Sequence, residues 1–271
     1  MSILDAIILG LIQGLTEFLP VSSSGHLVIS EQLLGLRANQ DIVFEVFVHF
    51  GTVLSILTIY YRDAIGLTRS AVRGLLHPGQ VRELYKGDES FRMVVQILIS
   101  AIPAGIVGIL FEDDITSAFT DPKLVATMLI VTGLILFLTR LFRTKQTRPY
   151  TLVIAFFVGC AQALAILPGI SRSGSTISMA MYWKVSPQEA ARFSFLMSVP
   201  VILGATLLKV LDLLAAGGTS EGGMVLLAGT VTAFASGLVA IRVLLRIIEF
   251  GRIRFFAFYC LLAGSAGILF L

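Results

Sequence analysis

The sequence predicts an all-α polytopic membrane protein, with six transmembrane helices and two re-entrant helical hairpins related by an inverted-topology repeat. Three observations carry this. Of 271 residues, 56% are hydrophobic and only 14% charged, little more than half of the ~25% found in soluble globular chains. Six apolar runs have about the ~20 residues that a ~30 Å hydrocarbon core requires at 1.5 Å per residue. Two further apolar stretches are each broken near the middle by Pro, Ser and Gly. Water-soluble enzymes and disordered chains are excluded by the composition. Cys160 and Cys260 lie inside apolar runs, and no disulfide framework, zinc spacing, Walker loop or dinucleotide fingerprint is present.

In chain order, the first broken stretch is Ile3–Leu34. It lacks a basic leading segment, so it reads as part of the fold rather than a cleavable leader. Spans follow at Val43–Tyr61, Met93–Phe111 and Leu124–Leu141; the second broken stretch is Leu152–Trp183, and the last spans are Phe193–Leu211, Met224–Leu244 and Phe255–Leu271. Basic residues set the orientation. The loop from Arg62 to Arg92 holds six (Arg62, Arg69, Arg73, Arg82, Lys86, Arg92). The turn with Arg140, Arg143, Lys145 and Arg148 and the connection with Arg242, Arg246, Arg252 and Arg254 hold four each, so fourteen of the twenty are on three loops expected to be cytoplasmic. The opposite loops carry Glu112, Asp113, Asp114, Asp121, Asp212 and Glu221 with only Lys123 and Lys209. Both termini are therefore expected outside. Two extra crossings would upset this pattern, so each broken stretch reads as two half-length helices meeting at mid-membrane, where irregular backbone must be buried in protein or line a wet cavity.

The two broken stretches match at a constant offset of 149: Gly10, Gln13, Leu15, Ser22, Ser24 and Gly25 fall on Gly159, Gln162, Leu164, Ser171, Ser173 and Gly174. Each half, 1–148 and 149–271 of a single membrane domain, holds one hairpin and three spans. An odd number of crossings makes the halves oppositely oriented. Inverted repeats of broken helices place a site where half-helix N-termini converge, and free N–H groups with a positive dipole end favour an anion there.

The first break reads Gln13-Gly-Leu-Thr-Glu17-Phe-Leu-Pro20-Val-Ser22-Ser23-Ser24-Gly25-His26, and the second Pro168-Gly-Ile-Ser171-Arg172-Ser173-Gly174-Ser175-Thr176. Gln13 and Glu17, four apart, share a helix face. At paired positions one half supplies Glu17, Ser23 and His26, and the other supplies Arg172. Ionisable groups at that depth are costly and mark function. Arg172 suits bidentate phosphate binding, with hydroxyls and glycine amides forming an anion nest. Ser23 and His26 suit a nucleophile and a proton carrier, while Glu17 could orient His26, act as the base or hold a divalent cation. A plain alternative is a buried Glu17–Arg172 ion pair that clamps the hairpins while serines cap helices. His49 reads as a helix-packing residue, although Glu45 lies four before it. His77 reads as a solvated loop residue, Trp183 as an interfacial anchor, and Lys184, Glu189 and Arg192 as the cytoplasmic exit of the second hairpin.

At these two motifs the sequence resembles the bacterial undecaprenyl-pyrophosphate phosphatase family, the bacitracin-resistance type. Gln13-x-x-x-Glu17 with the Pro-x-Ser-Ser-x-Gly-His run resembles its first signature, and Pro168-Gly-x-Ser-Arg-Ser-x-x-Thr176 its second; the likeness continues through Phe44-Glu45-Val46 and Phe193-Ser194-Phe195. Gln13 stands where family members often have Glu, which leaves Glu17 as the essential carboxylate. The resemblance implies catalytic roles for Glu17, Ser23, His26 and Arg172. Substrate-binding roles follow for Gln13, Ser22, Ser24, Gly25, Ser171, Ser173, Gly174 and Thr176. It also implies Mg²⁺ or Ca²⁺ as a cofactor, with Glu17 as a ligand. The implied reaction removes the terminal phosphate of C55 undecaprenyl pyrophosphate in the bacterial cytoplasmic membrane, recycling the carrier of peptidoglycan synthesis, with the active site toward the outer face. Ser23 and His26 are both admissible nucleophiles. Expected partners are the polyisoprenyl pyrophosphate and membrane lipids, with a homodimer admitted and no nucleic acid. The acid-phosphatase-like lipid phosphatases share a Ser-Gly-His but need His six residues after the Arg, where this chain has Ser178. From another class, a secondary transporter or flippase for a lipid phosphate or other anion is the alternative.

Overall fold

A computed structural model describes residues 1–33, 42–142, 146–215 and 222–270. The hairpin end at Leu34, the loop residues Arg143, Lys145 and Glu221, and Leu271 lie outside these. The described residues are all-helical, in the order α1 (Ile3–Phe18), α2 (Ser23–Leu33), α3 (Ile42–Ile59), α4 (Tyr61–Leu76), α5 (Val81–Gly87), α6 (Glu89–Leu110), α7 (Glu112–Ala118), α8 (Pro122–Leu138), α9 (Leu152–Leu164), α10 (Arg172–Tyr182), α11 (Pro187–Ala215), α12 (Gly223–Glu249) and α13 (Arg254–Phe270). Four of these, α6, α8, α11 and α12, are long and apolar enough to cross a membrane, and a fifth crossing is reached when α3 and α4 are taken as one bent span. This is a multi-pass membrane protein. Ile109, Leu207, Leu227 and Leu262 are exposed on its surface, as side chains of a fold solvated by lipid can be.

The chain departs from the sequence expectation between the first two spans. Arg62–Arg92 is not a loop: it folds as α4, a 3-10 turn at Pro78–Gln80 and α5, with α4 turning 93° away from α3. Arginines and exposed apolar side chains such as Ile65, Val72 and Leu75 alternate along α4, which suits a helix lying at an interface rather than crossing. Arg192 at the start of α11 ties this region down by pairing with Asp63 on α4, with Glu89 on α6 at 3.8 Å and with Glu189 at 3.3 Å. At α13, the 17 residues span about 25 Å at 1.5 Å each, slightly short of a full crossing.

The two broken stretches appear as pairs of short helices, α1–α2 and α9–α10, in which α2 packs on α1 and α10 on α9. With 16, 11, 13 and 11 residues, none reaches the ~30 Å of a hydrocarbon core. Each first helix is seated against a helix of the opposite half, α1 on α12 and α9 on α6. Small residues make these seams, as membrane packing favours, because lipid offers no hydrophobic driving force and close backbone approach must supply the attraction. A Cβ on Gly10 would strike the Gly229 backbone, and one on Gly159 would strike the Ser100 backbone. The α8–α13 pair repeats the device from both sides, with Gly133 against Ala257 and Gly264 against Ala126.

Candidate active site

The two breaks end their helices and restart them by the same local chemistry. After α1, Leu19 is extended and Pro20 cannot continue the helix. Ser22 then takes φ +70°, and its Oγ accepts from Gly25 N–H at 3.2 Å while lying 3.3 Å from Ser24 Oγ. In the second break, Pro168 and Gly169 (φ +92°) make the turn. Ser171 Oγ accepts from Gly174 N–H at 3.0 Å and lies 3.3 Å from Ser173 Oγ. These are N-caps on α2 and α10, each satisfying an amide the helix leaves unpaired. Thr132 on α8 secures the second break: its hydroxyl donates to Gly169 O and accepts from Ser171 N–H, both at 2.9 Å. The breaks also touch each other. A Cβ on Gly25 would lie 3.2 Å from Gly169 Cα, and one on Gly174 would lie 3.3 Å from Pro20 Cβ. Two helix N-termini, with their positive dipole ends, are thereby brought side by side.

Glu17 is the centre of the polar cluster between them. It is 7% exposed, and both of its oxygens are engaged. Oε1 accepts from Arg172 Nη2; Oε2 accepts from Ser23 Oγ at 2.6 Å and from Gln13 Nε2 at 3.0 Å. Arg172 also donates through Nη1 to Ser194 O on α11 at 3.2 Å. Its side chain stays 17% exposed. Ser23 and Ser24 are likewise half-buried. The others are closed in: Gln13, Ser22, Ser171, Ser173 and Thr176 are buried, as are Gly25 and Gly174. Thr176 Oγ1 is held by Arg172 O at 2.7 Å and Ser194 Oγ at 2.6 Å. These residues frame the site through caps and backbone amides rather than through free side chains.

His26 differs from the expectation that Glu17 orients it. Both ring nitrogens are committed elsewhere, Nδ1 at 2.7 Å from Ser22 O and Nε2 at 2.7 Å from Tyr259 OH. His49 departs from its expected packing role. Its Nδ1 lies 2.7 Å from Glu45 O, and its Nε2 faces Glu17 Oε2 at 3.8 Å, with 29% of the side chain exposed. The Glu45/His49 spacing was the one signal in the sequence that pointed this way. Tyr259 and Thr132 carried none, because they meet the breaks only after α8 and α13 have packed, and Ser194 stood out only within the Phe193-Ser194-Phe195 likeness.

As a metal site the cluster is poorly suited. Among the described residues no three His, Cys, Asp or Glu side chains converge, and the two oxygens of Glu17 already accept from Arg172, Ser23 and Gln13. A cation there would have to displace a guanidinium. Chemically, the arrangement offers a hydroxyl bound to a carboxylate, an arginine beside it and two helix N-termini, a set suited to transfer at a highly charged anion.

Comparison with known proteins agrees in extent with these motifs. A family model described as bacitracin resistance protein BacA matches residues 6–266. The chain is similar to an undecaprenyl-diphosphatase of Salinibacter ruber, 48% identical over 97% of each chain. Another, from Halothermothrix orenii, is 42% identical over 97% of this chain and 96% of that one. A third, from Bacteroides thetaiotaomicron, is 37% identical over 99% of both.

Proposed function

The chain belongs to the bacitracin resistance protein BacA family, and from that premise we propose that it is an integral-membrane undecaprenyl-diphosphatase. It hydrolyses undecaprenyl pyrophosphate to undecaprenyl phosphate and inorganic phosphate, recycling the lipid carrier of peptidoglycan synthesis and conferring bacitracin resistance. The observation that carries the reaction to particular residues is the hydrogen bond from Ser23 Oγ to Glu17 Oε2 at 2.6 Å, with Arg172 on the other carboxylate oxygen.

The lipid arrangement follows from the short helices and the charge pattern. α1–α2 and α9–α10 are two re-entrant hairpins, and six crossings complete the inverted repeat in the cytoplasmic membrane. Termini and active site lie toward the outer face. The pyrophosphate enters between the hairpins while the isoprenoid stays in lipid, its cost of transfer avoided.

Ser23 is the nucleophile in this reading. Its Oγ attacks the terminal phosphorus as Glu17 takes the hydroxyl proton. The new Oγ–P bond forms while the bridging P–O bond breaks, and undecaprenyl phosphate departs. Water then hydrolyses the phosphoserine, returning the serine and releasing inorganic phosphate. Arg172 offers its remaining N–H donors to phosphate oxygens, joined by the amides at the start of α2 and α10. His26 lies one turn beyond Ser23 on the same helix face and handles protons at the leaving group or the attacking water. His49 holds the far side of Glu17 Oε2. No step here passes through a divalent cation.

Rapid quench of purified protein with radiolabelled pyrophosphate lipid, followed by peptide mapping, tests the nucleophile. An acid-stable label on the peptide containing Ser23 is expected. An acid-labile phosphohistidine at His26 would transfer the role to the imidazole.

A further inference from the structure

We infer that Tyr259, on the last helix, is a positioning residue for His26: it holds the ring's orientation and keeps a proton against Nε2. The inference rests on the proton-handling role proposed for His26. The geometry determines the hydrogens. Ser22 O is a carbonyl and can only accept, so the Nδ1 that lies 2.7 Å from it carries the proton. In the neutral ring Nε2 is then the acceptor, and its partner at 2.7 Å is Tyr259 OH, which donates. The rings also stack, with centroids 5.7 Å apart and planes at 12°. Hydrogen bond and stack together leave the imidazole one orientation.

The next residue makes the same connection to the backbone of the break. Cys260 is fully buried and its thiol donates to Pro20 O at 3.6 Å. Adjacent positions on α13 thus brace both the turn before α2 and the histidine in its first turn. Glu17 is committed to Arg172, Ser23 and Gln13 rather than to the ring. Tyr259 is 46% exposed, so its hydroxyl has room to swing away. In the resting site the phenol covers the basic nitrogen; when a phosphate oxygen or water takes its place, Nε2 is free to exchange a proton. The second-sphere histidine partner that enzymes commonly draw from a carboxylate is here a phenol contributed by the opposite half of the chain.

The test compares wild type, Tyr259→Phe, Tyr259→Leu and His26→Ala in detergent, using phosphate release across pH and the ¹⁵N spectrum of histidine-labelled protein. The phenylalanine variant keeps the stack and loses the donor. It is expected to show a kcat about 10- to 100-fold lower with little change in KM, a shifted limb in the pH–rate profile and a moved His26 Nε2 resonance. The leucine variant is expected to lose more, because the stack goes too. A wild-type pH profile and an unmoved Nε2 resonance in Tyr259→Phe would overturn the inference, even if activity fell. Full activity in His26→Ala would instead remove the role on which it rests, while the resonance would still report whether Tyr259 holds the ring.

Discussion

Ser23 has one hydroxyl hydrogen, and Glu17 Oε2 receives it. That single bond separates the chemistry of the site from its scaffolding, and the residue-scale predictions follow from it. Glu17→Gln keeps the shape but removes the acceptor; together with Ser23→Ala it is expected to lower kcat by at least about 10³-fold, measured as phosphate release from protein whose detergent unfolding midpoint is unchanged. Glu17→Ala is a poorer probe, since leaving Arg172 buried without its partner costs about 3–5 kcal/mol on its own. At His49 the expectation is milder. His49→Gln still faces Glu17 with a polar group, so the loss stays under about tenfold, whereas His49→Leu costs more because an apolar group then faces a buried carboxylate. The Gln13, Glu17, Ser23 and Arg172 set was legible in the sequence because each motif is local and the 149-residue offset lined the two up. His49 and Tyr259 were not. Their partners lie 32 and 233 residues away, and no spacing rule reaches that far without the fold.

At the scale of elements, the breaks work because their backbone groups are satisfied. Thr132→Val would strand Ser171 N–H and Gly169 O inside the protein. Each orphan costs about 1–3 kcal/mol, so the thermal midpoint is expected to fall more than for Thr127→Val, whose hydroxyl only bonds back to Lys123 O on its own helix. The start of α6 makes a pH prediction. Asp88 caps Phe91 N–H and accepts from Ser70 on α4 at 2.7 Å. The Ser70 hydroxyl, first, and the capped amides hold its carboxyl below the usual aspartate range. A depressed folded-state value means the cap's contribution is present above about pH 3.9 and fades as pH falls through that lower value. Asp88→Asn is expected to flatten that acid limb of the unfolding curve. Of these elements, the broken helices could be read from Pro, Ser and Gly. The 93° turn between α3 and α4 could not, since α4 carries no helix breaker at its start.

For the whole molecule, the defining feature is exchange between halves: α1 sits on α12, α9 sits on α6, and the carboxylate of one break meets the arginine of the other. Gly159→Leu would force a side chain into the Ser100 backbone. It is expected to destabilise the protein by about 1–3 kcal/mol and to depress activity through the tilt of α10, which a melting curve and a phosphate assay read together. Composition was enough to identify a multi-pass membrane protein. It did not reveal which helices exchange, because small-residue seams are set by close backbone contact rather than by hydropathy. The most direct measurement is phosphate release from undecaprenyl pyrophosphate by detergent-solubilised protein, where no membrane separates two sides. Wild type is expected to turn over, while Glu17→Gln and Arg172→Ala, one from each half, are each expected to be nearly inactive. Turnover that survives either substitution in folded protein would contradict a site shared between the two breaks.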